Sequence, residues 1–188
     1  YMDLCRACEP FGLGCSLRQR LHGPVPCQRA LRARSQPGGS GYMKEQLLSI
    51  VKSMRLEHKV LFLGFVDDET LVRLQKCADV SVVPSLFEPF GIVALEAMAA
   101  KSPVVVSETG GLSEIVKHDV TGFKAYPNNP ESLAWGITKI LLDENYSNYL
   151  LENAYRQVEE KYNWEKIAQQ TKAIYKAVLG EYSKSFWA

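Results

Sequence analysis

The chain has 188 residues and a formal net charge of +1. That length suits one ordinary domain, or a domain with an appendage, and is enough to bury a core. The charge balance argues against nucleic acid or an anionic membrane as a whole-chain partner. No apolar run reaches the ~18 residues that a spanning helix needs, and no basic start followed by an apolar core marks a signal peptide. The expectation is therefore a cytoplasmic chain without a membrane span.

Composition changes sharply along the chain. Residues 1–41 carry six Arg and no Lys, whereas residues 42–188 carry three Arg and 13 Lys. Four of the five cysteines also fall in the first segment. Cys5 and Cys8 are spaced C-x2-C, with Cys15, His22 and Cys27 downstream. The later ligands form no tight knuckle, so unpaired thiols are preferred over a zinc site. The six Arg lack interleaved aromatics, so a solvated tail is preferred over a nucleic-acid arm. Residues 1–41 thus read as an irregular Arg/Cys/Gly-rich segment, joined through PGGSG to a regular domain over 42–188. The composition break suggests that the first segment is unrelated to the rest, or read from a shifted frame.

From residue 42 the pattern is regular. Leu47, Leu48, Ile50 and Val51 predict a helix over about 43–55. VLFLGF at 60–65 is a short apolar run that suits a buried strand. DDETLVRLQKCA follows as a helix capped by Asp67 or Asp68, with Leu71, Leu74 and Cys77 on one face. Cys77 reads as a small core residue. DVSVVPS is the next strand, GIVALEAMAA a helix, PVVVS a strand, GLSEIVKH a short helix and TGFKAY a last short strand. PESLAWGITKILLD is a helix with Pro130 in its first turn, and two more helices follow over about 147–161 and 164–179. Asn145-Tyr146-Ser147 matches a glycosylation sequon, which is common by chance. In the C-terminal stretch YNWEKIAQQTKAIYKAVLGEYSKSFWA, Tyr162, Trp164, Ile167, Ile174 and Tyr175 form an apolar stripe read mostly as core.

Strands alternating with helices at these lengths predict βαβ units, a parallel sheet and helices on both faces. Ligands of such sheets bind outside the carboxyl ends of the strands, so the loops that follow strands carry the functional candidates. EPFG occurs twice, at Glu9 and at Glu88. The first copy follows no strand and has Leu17 where a partner glutamate would stand, so it reads as coincidence. The second sits between DVSVVPS and a helix opened by Gly91. The first NH groups of that helix have no intrahelical partner and lie at the positive end of its dipole. Gly91 would let a phosphate approach the backbone. Glu96 can accept bonds from ligand hydroxyls such as a ribose diol, and Glu88 lies at the rim of the same crevice. Two carboxylates flanking an anion hole suit a sugar nucleotide, although a lone pair of glutamates is more often solvated.

PSLFEPFGIVALEAMAAKSPVVVSETGGLSEIV resembles the E-x7-E region of retaining GT-B glycosyltransferases of the GT4 type, the group that includes bacterial and archaeal glycogen synthases and sucrose-phosphate synthases. The likeness runs from about residue 42 to 180 and takes in the VTGF strand and the YNWEKIAQQ helix. It implies one Rossmann-like α/β half of a GT-B enzyme, the C-terminal donor-binding domain, lacking its first βαβ unit. It implies Glu88 at the reaction centre and Phe90 and Gly91 on the donor sugar. Ile92 and Val93 would offer NH groups to the diphosphate, and Glu96 would hold the ribose. By the same resemblance, Gly110 and Gly111 would form a turn near the crevice, and Gly64 and Phe65 would lie near the nucleotide base.

The implied donor is UDP- or ADP-glucose, with no metal or other cofactor, and a sugar or glucan acceptor in an intact enzyme. The family's Arg/Lys clamp on the diphosphate belongs in residues 1–41, which contain no Lys. Catalysis by this chain alone is therefore left open beside a non-catalytic sugar-nucleotide-binding module. Tyr182, Phe186 and Trp187 are expected to lie exposed, where they invite self-association or a partner chain.

Overall fold

The computed structural model describes residues 43–184. Cys5, Cys8, Cys15, His22, Cys27, the first EPFG, Phe186 and Trp187 lie outside the described residues. The chain divides into two compact units, Tyr1–Asp79 and Val80–Ala188.

In the described part of the first unit, two helices form where the periodicity places them. Helix α1 spans Lys44–Ser53 and buries none of its residues, so Leu47, Leu48 and Ile50 stay exposed. Helix α2 spans Asp68–Cys77. Asp67 is its N-cap: the carboxylate accepts from the Thr70 amide at 2.8 Å and from the Thr70 hydroxyl at 3.1 Å, quenching an orphan NH of the first turn. Glu69 and Arg73 pair one turn apart on its surface. Cys77 is half-buried rather than a fully buried core residue.

VLFLGF does not form a strand. A strand exists only through a ladder with a neighbour, and no described residue pairs with this run. Leu61 and Phe65 are exposed, the latter by 75%. Gly64 sits at φ +65°, in the left-handed region that glycine favours.

The second unit holds a three-stranded parallel sheet in the order β1-β2-β3, formed by Ser81–Val83, Val104–Ser107 and Phe123–Ala125. The register pairs Ser81 with Val104 and Val105 with Phe123. Its helices are α3 (Ile92–Ala99), α4 (Gly110–Ile115), α5 (Pro130–Leu142), α6 (Glu144–Lys161) and α7 (Trp164–Tyr182).

The central strand is why VVV is an unbroken apolar run. Val104 and Val106 face a cluster built from Ala94, Ala97 and Met98 of α3, Leu112 and Ile115 of α4 and Ala154 of α6. Val105 faces the opposite cluster, with Phe123, Ala125, Ile140 of α5 and Leu150 of α6. A strand covered on both faces loses the polar half of the two-residue alternation. All three valines are fully buried, and each such burial contributes about 1.5–3 kcal/mol.

Side-chain caps set the later helix starts. Asn129 accepts from the Ser132 amide at 2.8 Å, with Pro130 in the first turn of α5. Asp143 accepts from the Tyr146 amide at 2.9 Å and starts α6 one residue after α5 stops. Asn163 caps α7. The stripe on α7 is not core: this helix buries no residue, and Trp164 is 82% exposed. Of the five residues in that stripe, Tyr162 reaches a core cluster. Tyr182 is exposed as expected. No described helix is long and apolar enough to cross a membrane.

Candidate functional site

The loop after β1 and the turn after β2 meet at the carboxyl ends of their strands. Pro84 stops β1, and the chain runs through Leu86, Phe87, Glu88, Pro89 and Phe90 before α3 begins. Gly91 is the residue before the helix, at φ +102° and ψ 38°. Any other residue would be strained there. A Cβ on Gly91 would also stand 2.8 Å from Leu112 Cδ2. The Gly91 carbonyl accepts from the Ala94 amide at 3.0 Å, and no side chain caps the start of α3. The NH groups of Ile92 and Val93 belong to the first turn, where the helix offers them no acceptor.

The two loops touch backbone to backbone. Gly110 is at φ +44°, and a Cβ there would stand 2.2 Å from the Glu88 carbonyl oxygen. A Cβ on Gly111 would stand 2.3 Å from the Phe90 carbonyl oxygen. The Gly111 amide donates to the Glu88 carbonyl at 2.9 Å. Thr109 Oγ1 donates to the Leu86 carbonyl at 3.1 Å. Thr109 is also the N-cap residue of α4, yet its side chain makes no cap bond to its own helix.

The turn is itself fixed at its base and its far end. Glu108 N donates to the Ala125 carbonyl at 2.8 Å, tying the turn to β3. Gln157 of α6, buried, donates from Nε2 to the Ile115 carbonyl at the end of α4 at 2.6 Å.

Glu88, Phe90, Gly91, Gly110 and Gly111 are thus brought together, and Ile92, Val93 and Glu96 follow on α3. Glu88 is half-buried and Phe90 half-exposed. Glu96 is half-buried rather than on an open helix face, with Oε2 out of contact with solvent. Leu86, Phe87, Phe90 and Ile92 leave an exposed apolar rim around Glu88. Gly64 and Phe65 belong to the other unit. Among the described residues, no group of three or more His, Cys, Asp or Glu comes together in a way that could hold a metal ion.

Two features of this unit escape sequence reasoning. Thr109 before a short helix looks like an ordinary N-cap, and nothing local shows that its hydroxyl reaches a loop 23 residues upstream. The second is a polar cluster at the HDVTG turn. Asp119, at φ +57°, accepts from the Tyr146 hydroxyl and from Lys139 Nζ at 3.0 Å, and lies 3.5 Å from His118 Nε2. The Tyr146 hydrogen bond, more than the nearby Lys139 and His118 charges, holds the Asp119 carboxyl below its ordinary pKa. Burial, reinforced by Asp119, pushes the Tyr146 phenol far up. Lys124 grips Glu108, the residue before Thr109, at 2.7 Å and lowers its pKa.

Residues 38–157 match the family described as glycosyl transferases group 1. An uncharacterized glycosyltransferase of Methanocaldococcus jannaschii is 52% identical over 141 residues, which cover 75% of this chain and 36% of that protein. The sucrose-phosphate synthase of Thermosynechococcus elongatus superposes with a TM-score of 0.73 at 36% identity, over 82% of this chain and 39% of that one. Anabaena HepE, in complex with UDP-glucose, superposes with a TM-score of 0.77 at 25% identity, over 94% of this chain and 53% of that one. The chain therefore spans well under two thirds of the length of these relatives. Its α/β fold, a parallel sheet covered by helices on both faces, is that of one half of a GT-B enzyme, as the second EPFG implies. The chain belongs to the group 1 glycosyl transferases.

Proposed function

We propose that this chain is the donor domain of a retaining glycosyltransferase and binds a nucleotide-activated hexose of the UDP- or ADP-glucose type. The observation that carries the reading is the strand–loop–glycine–helix at Glu88–Glu96, whose helix start has no side-chain cap and is flanked by two half-buried carboxylates. A similar chain whose structure holds UDP-glucose supports it. In this reading the NH groups of Ile92 and Val93 meet the diphosphate, where the helix dipole favours negative charge. Glu96 accepts from the ribose hydroxyls. Glu88 faces the sugar at the reacting carbon, with the backbone of Phe90 and Gly91 along the sugar's edge.

Transfer needs stabilisation of the leaving diphosphate, by the electrostatic logic common to such transition states. No Lys of residues 1–41 can supply it, because that segment contains none. That composition favours a second reading, a sugar-nucleotide-binding module without catalysis of its own. Donor hydrolysis or transfer separates the two.

Calorimetric titration with UDP-glucose and ADP-glucose, repeated on Glu96→Ala, tests the site. Binding to the wild type that weakens at least tenfold in the variant supports the donor domain. An absence of binding to either nucleotide sugar, in protein shown to be folded by circular dichroism, sinks both readings.

A further inference from the structure

We propose that the Thr109–Gly110–Gly111 turn positions the Glu88 loop, with the Thr109 hydroxyl as the side-chain group that sets it. We infer further that the turn governs the sugar end of the donor site, a second part that rests on the nucleotide-sugar reading above.

The argument starts from where hydrogen bonds go. An N-cap threonine ordinarily turns its oxygen to the amides of its own first turn. Thr109 instead donates to the Leu86 carbonyl, and its own helix receives no side-chain cap. Two residues on, the Gly111 amide takes the Glu88 carbonyl. The loop is therefore held at alternate carbonyls, Leu86 and Glu88, on either side of Phe87. The side chains of Leu86, Phe87 and Phe90 on this loop are exposed, so core packing does not hold them.

The turn, by contrast, is anchored. Its base is tied to β3 through Glu108 N, and the far end of α4 is tied to α6 through Gln157. A fixed part holding a loose part sets the loose part's position. The glycines contribute by absence: a Cβ at either would force the loop outward. Glu88 is on the held segment and Ile92 and Val93 are on the helix beyond it. Loss of the Thr109 bond should thus disturb the carboxylate more than the helix NH groups.

The test compares Thr109→Val, which keeps the shape and removes the donor, with Thr109→Ser, which keeps the donor. In the free chain, amide exchange of Gly111 reports opening of its bond to Glu88. The expected result is exchange about five- to tenfold faster in Thr109→Val, the range for loss of one hydrogen bond. The β2 amides, as internal reference, stay unchanged, and Thr109→Ser returns to the wild-type rate. Unchanged Gly111 exchange in Thr109→Val overturns the positioning role, whatever the ligand, and so does a Thr109→Ser that exchanges as fast as Thr109→Val.

Titrations with UDP and with UDP-glucose then test the second part. The expected pattern in Thr109→Val is UDP affinity within twofold of wild type and UDP-glucose affinity reduced fivefold or more, with recovery in Thr109→Ser. Equal losses for both ligands overturn the assignment to the sugar end. A wild-type chain that binds neither of these ligands nor ADP-glucose overturns the nucleotide-sugar reading and this second part with it, while the exchange experiment still decides the first.

Discussion

The Gly111 amide donates to the Glu88 carbonyl across 2.9 Å, joining two loops that follow neighbouring strands. The bond requires that the two backbones approach more closely than any side chain at 110 or 111 would allow.

Gly111→Ala therefore costs stability. Its Cβ would meet the Phe90 carbonyl oxygen at 2.3 Å and the Phe90 Cα at 2.6 Å, and backbone cannot rotate away as a side-chain tip can. Overpacking of this kind costs about 1–3 kcal/mol. Urea denaturation should show the midpoint fall with an unchanged slope. A midpoint equal to wild type would mean that the loops are not in such close contact.

Gly136→Ala has an unusual sign. An interior helical glycine is worse than alanine by about 1 kcal/mol, so the replacement ordinarily stabilises. Here Gly136 lies in α5 with the Phe123 ring against it, and a Cβ would stand 2.2 Å from Phe123 Cδ1. Net destabilisation is expected, again by about 1–3 kcal/mol. In the double variant with Phe123→Leu, the extra cost of Gly136→Ala should shrink, because the ring that opposes the new methyl is gone. A single Gly136→Ala more stable than wild type would contradict the packing.

Asp119 makes stability depend on acid. Its carboxyl is held below the ordinary value of 3.8, mainly by the Tyr146 hydroxyl. A depressed folded-state pKa means stability that is fully present above the unfolded value and lost as pH falls through the folded one. Stability curves of wild type and Asp119→Asn should differ by a constant above about pH 5 and converge below pH 4. Glu108, lowered by Lys124, is common to both proteins and cancels in the difference. A difference that stays constant down to pH 2 would rule out a linked proton at Asp119.

The stripe on α7 should tolerate polarity. Trp164, Ile174 and Tyr175 are all more than half exposed. Exchanging each for glutamine should move stability by no more than about 0.5 kcal/mol, the usual range for surface positions. Thermal denaturation of the three single variants checks this. A loss above 2 kcal/mol at any of them would return that residue to the core.

Much of the described chain is legible because its signals are local. Asp67, Asn129 and Asp143 cap the helices that follow them, and the unbroken valines of β2 announce a strand buried on both faces. What failed was non-local. VLFLGF has the composition of a strand, but a strand also needs an edge to join, and residue types do not supply one. The α7 stripe has helical periodicity, which gives the direction of the apolar side chains without saying what covers them. Of the site, the glycines and glutamates of the second EPFG could be read from strand–loop–helix order. The role of Thr109 could not, because its bond partner lies on a different loop. The Asp119 cluster was missed for the same reason: its tyrosine and lysine come from α6 and α5.

The parallel sheet has a consequence for how the chain reaches its fold. No two of its strands can join through a hairpin, since parallel neighbours need a crossover. Ser81 must find Val104, and Val105 must find Phe123, before any ladder bond forms. Each pairing closes a loop that already contains a helix. The 18 residues of α6 and the 19 of α7 can instead form from neighbours alone. The valines of β2 must meet partners on both sides, and topologies dominated by such distant pairings fold slowly. Until β2 is seated, three consecutive valines face solvent, and crowding during refolding is most harmful in that interval.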